Sequence, residues 1–245
     1  MRVRLDAALV SRGLTATRAR ARDLIVRGDV LVDGLPVKKA GTLVGAGADL
    51  TITGDGNAYV SRSALKLSAG LDAFGCCACD RVALDVGAST GGFTQVLLER
   101  GATKVWAVDV GHGQLAPSVA ADRRVVNLEG TDARALTPAR IAEPVGAITA
   151  DVSFISLTKA LPTALALAAP GCWLVALVKP QFELGPAAIG KGGIVKDRAD
   201  GARAVADVER WLIGHGGWRI IGTCPAPLPG KGGNQEYLLG AELRG

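Results

Sequence analysis

Residues 84–95 read LDVGASTGGFTQ, and the expected fold follows from them. The apolar run at 82–86 is typical of a buried parallel strand. Three glycines follow it before an apolar helical pattern begins, so the backbone can turn tightly and a ligand can approach it closely. A second strand, expected at 105–110, carries Asp109, 24 residues beyond Asp85. In doubly wound sheets an acid about 20 residues on receives ribose hydroxyls. The stretch therefore predicts a nucleoside-binding turn.

The glycine pattern argues against a dinucleotide ligand. A dinucleotide-binding turn needs Gly-x-Gly-x-x-Gly, because the middle glycine admits a pyrophosphate against the backbone. Here Ser89 stands at that position, and Asp85, just before the turn, would repel a pyrophosphate. A cationic nucleoside fits better, and S-adenosylmethionine carries both an ammonium and a sulfonium group. An NAD(P)-linked enzyme is therefore the less favoured alternative, and the stretch resembles the first motif of the methyltransferases that use S-adenosylmethionine.

Strands and helices alternate from residue 81 onward, which predicts an α/β fold with a parallel sheet between two layers of helices. Ligands bind such sheets beyond the carboxyl ends of the strands, so polar residues at those ends are expected on one rim. They are Asp85, Asp109, Asp132, Asp151 and Lys179. The expected strands are 82–86, 105–110, 125–128, 145–151, 172–178, 218–222 and 235–239, the last as an antiparallel edge, and the expected helices are 93–99, 115–120, 157–168 and 202–213.

Composition limits the class of protein. A chain of 245 residues, 49% of them hydrophobic, can form a standard domain plus a small one. No signal peptide is evident, and the most apolar segment, 160–178, is interrupted by two prolines and a glycine, so we expect a cytoplasmic protein with no membrane partner. Five cysteines, three of them crowded at 76–79, do not supply four well-placed zinc ligands. We expect free thiols and no metal.

Positive charge is concentrated at the N-terminus. Residues 1–40 hold nine Lys and Arg against four acids, whereas residues 41–245 hold nineteen of each. This asymmetry predicts that the N-terminal segment meets a polyanion. The same segment predicts two short helices, a hairpin turn at Asp33-Gly34 and a further strand at 48–53.

The stretch RLDAALVSRGLTATRARARDLIVRGDVLVDG, residues 4–34, resembles an S4 domain, an RNA-binding module first known from a ribosomal protein. The resemblance includes the apolar spacing, which disfavours a solvated basic face with no partner. It implies an S4 RNA-binding domain at 1–55, a linker at 56–61 and a second domain at 62–245. The arginines expected to bind RNA are Arg4, Arg12, Arg18, Arg20 and Arg22, together with Arg62 at the start of the second domain.

Four further residues extend the resemblance over essentially the whole chain. Lys66 lies in SRSALKL, Asp151 in DVSFIS, Lys179 in LVKPQFE and Glu236 in NQEYLL. With LDVGASTGGFT and DVGHGQL, these motifs resemble the TlyA family of S4-domain rRNA 2′-O-methyltransferases, which is related to the FtsJ type and was historically called hemolysin A. The family's Lys-Asp-Lys-Glu tetrad falls on those four residues. The helical spacing around Lys66, taken alone, predicts instead a surface lysine with an apolar stem.

The resemblance implies a Rossmann-like class I methyltransferase sheet that uses S-adenosylmethionine, joined to a small α+β S4 domain that binds ribosomal RNA. The glycine turn would hold the methionine end of the cofactor, Asp109 its ribose and Asp132 its adenine amine. The residues expected to bind the cofactor are Asp85, Gly87, Ala88, Ser89, Gly91, Gly92, Phe93, Asp109, Asp132 and Asp151.

A ribose 2′-hydroxyl becomes a good nucleophile only when its proton is removed or strongly polarised. A lysine is ordinarily protonated in neutral water, but burial and a neighbouring ammonium favour its neutral form. We expect Lys179 to activate the hydroxyl, either as a base or by stabilising the developing alkoxide. Lys66 would supply a second positive charge, and Asp151 and Glu236 would orient the two lysines. Positioning of the donor, at ~7–11 kcal/mol, contributes more than general base catalysis, at ~10²–10⁴-fold.

Other classes of function remain open at this point. A membrane-lytic protein, suggested by the historical name, would need an amphipathic or spanning element, and none is evident. A non-catalytic assembly factor would not need the tetrad, yet all four positions are occupied. The family methylates cytidines of large-subunit rRNA, and its longer members also modify the small subunit; the short termini here favour the large-subunit type. The glycine-rich loop at 181–197 is either a lid over the site or a plain surface loop.

Overall fold

A computed structural model describes residues 2–15, 17–53, 59–230 and 232–245. The chain divides into two compact units, Met1–Arg62 and Ser63–Gly245. Each unit has its own hydrophobic core. Residues 56–58 of the expected linker lie outside the described part of the chain.

In the first unit, two helices pack on short antiparallel strands. The Thr17 side chain accepts a hydrogen bond from the Arg20 amide and so caps the second helix, and Gly28, at φ +87°, ends it. The predicted Asp33-Gly34 hairpin is confirmed, with positive φ at both residues. The elements are β1 (Arg2–Arg4), α1 (Leu5–Ser11), α2 (Arg18–Arg27), β2 (Val30–Val32), β3 (Leu35–Pro36), β4 (Leu43–Gly45) and β5 (Leu50–Ile52). Its core includes Leu5, Leu9, Leu24, Ile25, Val30 and Leu50.

The second unit alternates strands and helices, as predicted. Its strands are β6 (Val82–Val86), β7 (Lys104–Asp109), β8 (Val125–Glu129), β9 (Val145–Ala150), β10 (Ala168–Val178), β11 (Trp218–Pro225) and β12 (Tyr237–Leu243). Its helices are α3 (Ser63–Phe74), α4 (Gly92–Glu99), α5 (Pro117–Ala120), α6 (Leu157–Ala160), α7 (Pro162–Leu165), α8 (Pro180–Glu183) and α9 (Arg198–Gly214).

All seven strands of the second unit form one sheet, in the order β11-β12-β10-β9-β6-β7-β8. Strands β6 to β10 run parallel, and β12 is antiparallel to both of its neighbours. The prediction that the last strand forms the edge is wrong: β12 lies between β10 and β11, and β11 is the edge. Burial gives the reason, because β12 has four consecutive buried residues, as an inner strand needs, whereas β11 is mostly exposed or half-buried.

Two predicted helix boundaries change. The helix expected at 157–168 is two short helices, because Pro162 has no amide hydrogen and begins a new helix instead of continuing α6. Residue 168, the last of the expected helix, already belongs to β10. An apolar run in the sequence does not by itself show whether its residues form a buried strand or a helix. The last helix begins earlier than expected, at Arg198, because the Asp197 side chain caps it by accepting a hydrogen bond from the Ala199 amide.

Candidate active site

The glycine turn follows β6, where the strand order of the sheet reverses between β9 and β7. Ligands of open α/β sheets bind at this place. Gly87 has φ +86°, and a Cβ there would lie 2.7 Å from the carbonyl oxygen of Asp151. Gly91 has φ +93°, and a Cβ there would lie 2.8 Å from Cδ1 of Leu115. Both positions therefore require glycine, and bare backbone faces the loop that follows β9.

The other turn residues differ in exposure. Ser89 is exposed and has φ +48°, an unusual conformation for a residue with a side chain. Ala88 is buried, and its amide donates to the Val108 carbonyl at 3.0 Å. Gly92 and Phe93 begin α4, where the Phe93 side chain is 2% exposed. Ser89 thus presents the one exposed side chain of the turn's expected cofactor contacts.

Asp85 lies beneath the turn and not on its surface. Its side chain is fully buried, and its two carboxyl oxygens accept hydrogen bonds from the hydroxyls of Thr94 (2.7 Å) and Thr149 (2.9 Å). Burial raises the pKa of Asp85 to about 7, against the opposing effect of the two hydroxyls. The structure therefore gives Asp85 no direct access to a ligand, and its influence on one passes through the turn that it supports.

Asp109 ends β7 and orders two neighbouring loops. Its Oδ2 accepts a hydrogen bond from the Ser89 amide at 2.8 Å, and its Oδ1 accepts one from the Gly111 amide at 2.7 Å. The Ser89 hydroxyl donates to Oε1 of Gln114 at 3.2 Å. Because each carboxylate oxygen has a second lone pair, Asp109 can still accept ribose hydroxyls. A half-exposed carboxylate beside bare backbone fits a nucleoside with a cationic tail.

Glu129, at the end of β8, is a site residue that the sequence analysis missed. Its Oε1 accepts from the amides of Gln114 (2.5 Å) and Leu115 (3.0 Å), and its Oε2 accepts from the Asn127 side chain (2.9 Å). These donors, the Asn127 amide first, lower the pKa of Glu129 to about 2. Glu129 thus fixes the loop that follows β7. The signal was available, because an acid at the end of the third strand belongs to the same rim.

Asp132 lies just past β8 and is bound by a neighbour. Its carboxylate accepts hydrogen bonds from the Arg134 amide and guanidinium, with an Nη2–Oδ2 distance of 2.5 Å, and these lower its pKa. Contact with an adenine amine would require Asp132 to share its oxygens between Arg134 and the ligand.

The four residues of the expected tetrad form two ion pairs, in which both lysines and Glu236 are buried and Asp151 is half-buried. Lys66, on α3, is 8% exposed, and its Nζ lies 2.5 Å from Oε2 of Glu236, which directly precedes β12. Lys179 directly follows β10 and is 9% exposed, and its Nζ lies 2.7 Å from Oδ1 of Asp151. The Lys179 ammonium also donates to the Ser153 hydroxyl at 2.9 Å. The expectation of a surface lysine at residue 66, from helical spacing alone, is wrong.

Sheet register accounts for the proximity of these residues. In the parallel pairing of β9 and β10, Ala150 is opposite Ala176, so Asp151 and Lys179 both lie past the carboxyl ends of adjacent strands. In the antiparallel pairing of β10 and β12, Val178 is opposite Tyr237, so Lys179 and Glu236 both lie just outside the last paired residues. The tetrad and the glycine turn therefore occupy the same edge of the sheet.

Phe154, in the DVSFIS motif, is a second residue that the sequence analysis missed. It is 91% exposed and has φ +65°, a rare conformation for an aromatic residue. Its ring packs at 5.1 Å on that of Phe182. Glu183, whose pKa is raised by burial, holds the next segment by accepting hydrogen bonds from the Ser156 hydroxyl (2.6 Å) and the Leu157 amide (2.9 Å). An exposed, fixed aromatic ring one residue beyond Ser153 can stack on a nucleobase.

The expected RNA-binding arginines of the first unit have different partners. Arg4, Arg18 and Arg22 are each about half exposed and pair with Asp6. Arg12 differs, because its guanidinium donates to the carbonyls of residues 45, 46 and 48 and is committed to the domain's own backbone. The remaining two are Arg20, which donates to the Tyr59 carbonyl, and Arg62, which is half-buried just before α3.

Among the residues that the structure describes, no three His, Cys, Asp or Glu side chains are grouped so as to hold a metal ion. The five cysteines are free thiols, as expected. Within the same described ranges, no helix is both long enough and apolar enough to cross a membrane.

The sheet order and the glycine turn define a Rossmann-like methyltransferase fold, whose general methyl donor is S-adenosylmethionine. Residues 59–243 match the FtsJ-like methyltransferase family, and residues 3–50 match the S4 domain. The class is therefore an FtsJ-like methyltransferase joined to an S4 domain.

Three relatives show which family of this class the chain belongs to. The chain is 49% identical, over 97% of its own length and 89% of the relative's, to the 16S/23S rRNA (cytidine-2′-O)-methyltransferase TlyA of Mycobacterium tuberculosis. It is 35% identical to the 23S rRNA (cytidine-2′-O)-methyltransferase TlyA of Campylobacter jejuni, over 94% and 95%. A solved structure named a hemolysin, from Streptococcus thermophilus, matches with a TM-score of 0.77 and 36% identity, over 99% and 89%. The chain belongs to the TlyA family.

Proposed function

We propose that this protein transfers the methyl group of S-adenosylmethionine to the ribose 2′-hydroxyl of a cytidine in ribosomal RNA. The observation that carries the proposal is the presence of two buried lysines, each paired with a carboxylate, Lys66–Glu236 and Lys179–Asp151, on the edge of the sheet that also holds the glycine turn. Removal of a proton from a ribose hydroxyl creates negative charge, which fixed cations in a dry site stabilise. Membership of the TlyA family supports ribosomal RNA as the substrate.

S-adenosylmethionine, when bound, supplies an electrophilic methyl group on a sulfonium. Gly87 lets the turn pack directly against the backbone of Asp151, and the exposed Ser89 residue is the part of the turn that would face its methionine end. The Asp109 carboxylate accepts hydrogen bonds from the ribose hydroxyls. The Asp132 carboxylate accepts one from the adenine amine while it keeps its contact with Arg134. Asp85 acts from beneath, because it holds the turn through Thr94.

Lys179 lies closest to the chemistry in this proposal. Contacts with Asp151 and Ser153 fix its ammonium at the end of β10. There it either acts as the neutral amine, which accepts the proton of the 2′-hydroxyl, or acts as the ammonium, which stabilises the alkoxide that develops as the proton leaves. Lys66, held by Glu236, adds a second positive charge. Both lysines are almost fully buried, so their charges act more strongly than they would in water.

The first unit recruits the RNA in this proposal. We assign residues 1–55 to the S4 domain, 56–61 to a linker and 62–245 to the methyltransferase domain. Half-exposed arginines of α2 contact phosphates, which supplies affinity without base specificity. The exposed Phe154 ring stacks on a base near the reacting ribose. Because ribosomal RNA is the substrate, the protein works in the cytoplasm.

The subunit preference stays a prediction. We expect the large subunit alone to be modified, and the Campylobacter jejuni relative is named for 23S rRNA. The Mycobacterium tuberculosis relative is more similar in sequence and is named for both 16S and 23S rRNA. Both subunits therefore belong in the test.

Mapping of the methyl group tests the proposal. Purified protein is incubated with S-adenosylmethionine and unmodified ribosomal subunits, and 2′-O-methyl nucleotides are located by primer extension at low nucleotide concentration and by mass spectrometry of nuclease digests. We expect one new 2′-O-methylcytidine in large-subunit RNA, absent with Lys179→Ala. A methyl group on a base, or none on either subunit, would overturn the proposal. Activity in liposome leakage without methylation would favour the lytic alternative, and RNA binding without methylation would favour an assembly factor.

A further inference from the structure

The first unit contains a buried carboxylate that is surrounded by three arginines. Asp6, in the first turn of α1, is fully buried. It accepts two hydrogen bonds from Arg4, at 3.1 Å and 3.2 Å. Its Oδ2 also accepts from Nη2 of Arg18 at 3.0 Å and from Nε of Arg22 at 2.9 Å. The Asp6 amide donates to the Ala40 carbonyl at 3.2 Å, so the backbone fixes the carboxylate in place.

The three arginines remain accessible although they share this partner. Their side chains are 49%, 51% and 54% exposed for Arg4, Arg18 and Arg22. Arg18 and Arg22 are four residues apart on α2 and so lie on one helix face. The Arg4 guanidinium also lies beside Gly41, where a Cβ would be 3.3 Å from its Nη1. Three guanidiniums against one carboxylate leave a compact array with a net charge of +2.

Arginines without a shared partner pay a cost when they bind a ligand together, and Asp6 reduces that cost. Three neighbouring guanidiniums repel one another, and each long side chain loses about 2 kcal/mol of rotamer entropy when a ligand immobilises it. A shared carboxylate offsets the repulsion and fixes the side chains before the ligand arrives, which lowers the cost of binding. Each guanidinium has five N–H donors and spends only one or two on Asp6, so donors remain for phosphate oxygens.

We propose that Asp6 is a positioning residue for RNA binding, which holds Arg4, Arg18 and Arg22 as a preorganised array for the phosphates of the RNA backbone. This inference rests on the proposed function, since it takes RNA as the ligand of the S4 domain. The expected change in RNA affinity is the opposite of what net charge alone would predict. Removal of the Asp6 charge makes the protein more positive, yet it weakens RNA binding, because the array loses its fixed geometry.

The test is the RNA affinity of the full-length Asp6→Asn protein. The probe is a fluorescently labelled 23S rRNA transcript made in vitro, titrated at several salt concentrations. Asp49→Asn is the matched control, because it makes the same change in charge in the same unit at an exposed acid outside the array. We expect Asp6→Asn to weaken binding about tenfold, with a shallower dependence on salt, and Asp49→Asn to leave it unchanged or slightly tighter. Equal or tighter binding by Asp6→Asn would overturn the inference.

A second set of variants keeps the test decisive if Asp6→Asn unfolds the first unit, which amide hydrogen exchange at Leu9 and Leu24 would reveal. Arg18→Gln, Arg22→Gln and the double variant form a cycle. Because both arginines depend on one carboxylate, we expect their losses in RNA affinity to be non-additive, and additive losses would overturn the inference. If neither single variant changes the RNA affinity, the proposal that the S4 domain recruits RNA is wrong. If both arginine variants weaken RNA binding and a folded Asp6→Asn protein does not, only the inferred role of Asp6 is wrong.

Discussion

The buried Asp85 carboxyl predicts a pH dependence of stability that belongs to this one residue. Its pKa is raised to about 7 in the folded protein and returns to its ordinary value of 3.8 on unfolding. Below pH 3.8 both states are protonated and Asp85 costs nothing. Between pH 3.8 and 7 the unfolded chain releases the proton and the folded one keeps it, so stability falls as pH rises, by about 1.4 kcal/mol per pH unit. Above pH 7 the cost is constant, at about 4 kcal/mol.

Asp85→Asn removes this titration and nearly preserves shape. Any change in its hydrogen bonds with Thr94 and Thr149 shifts stability by an amount that does not vary with pH. The informative quantity is therefore the difference in unfolding free energy between variant and wild type, followed from pH 5 to pH 8. We expect that difference to increase in favour of the variant by about 3 kcal/mol over this range.

Urea denaturation followed by tryptophan fluorescence is the appropriate assay. The chain has four tryptophans, at 106, 173, 211 and 218, and all lie in the second unit, so the signal reports the unit that contains Asp85. Asp207→Asn, at an exposed acid on α9, is the control and should give a constant difference. If the Asp85→Asn difference is equally constant between pH 5 and pH 8, burial does not raise the pKa of Asp85.

Four other variants probe the same edge of the sheet. Lys66→Met and Glu236→Gln each leave a buried partner unpaired and should lower the unfolding free energy by about 3–5 kcal/mol, with a smaller loss in the double variant than the sum, measured by urea denaturation. Asp109→Ala should weaken S-adenosylmethionine binding at least about tenfold in calorimetry, because it removes a charged acceptor and frees the Ser89 amide. Gly87→Ala should destabilise the second unit by more than about 1 kcal/mol and reduce methyl transfer, since its Cβ would meet the Asp151 carbonyl.

Each of these expectations has a contradicting result. Strictly additive losses for Lys66→Met and Glu236→Gln would mean that the two do not form a buried pair. Unchanged cofactor affinity in Asp109→Ala would move the pocket away from β7. Wild-type stability in Gly87→Ala would mean that the turn has room for a side chain. The Asp207→Asn control should behave like the wild type in all three assays.

Periodicity and turn chemistry predicted most of the fold. The apolar run before the glycine turn, the alternating strands and helices, and the Asp33-Gly34 hairpin all appear in the structure. The position of β12 could not be read from its own residues, because an antiparallel strand at an edge and one inserted between two others have similar local sequences. Its burial depends on β11, which precedes it in the chain and pairs outside it.

The sequence named candidate site residues but gave no geometry for them, and it missed Glu129 and Phe154. Family motifs indicated Lys66 and Glu236, but helical spacing placed Lys66 at the surface, since nothing near it in sequence reveals a carboxylate 170 residues away. Asp85 was expected at the ligand because an acid at a strand end usually reaches the rim; its burial depends on the hydroxyls of Thr94 and Thr149, which come from other elements. Long-range partners of this kind have no local signal.

Methyl transfer by Lys179→Ala under single-turnover conditions shows whether Lys179 takes part in the chemistry. The variant and the wild type are saturated with S-adenosylmethionine and with large ribosomal subunits, and binding of each ligand is measured separately. We expect Lys179→Ala to bind both ligands with affinities close to those of the wild type and to form no 2′-O-methylcytidine. Near-normal transfer by Lys179→Ala would contradict this expectation, because the buried lysine at the end of β10 would then have no part in the chemistry.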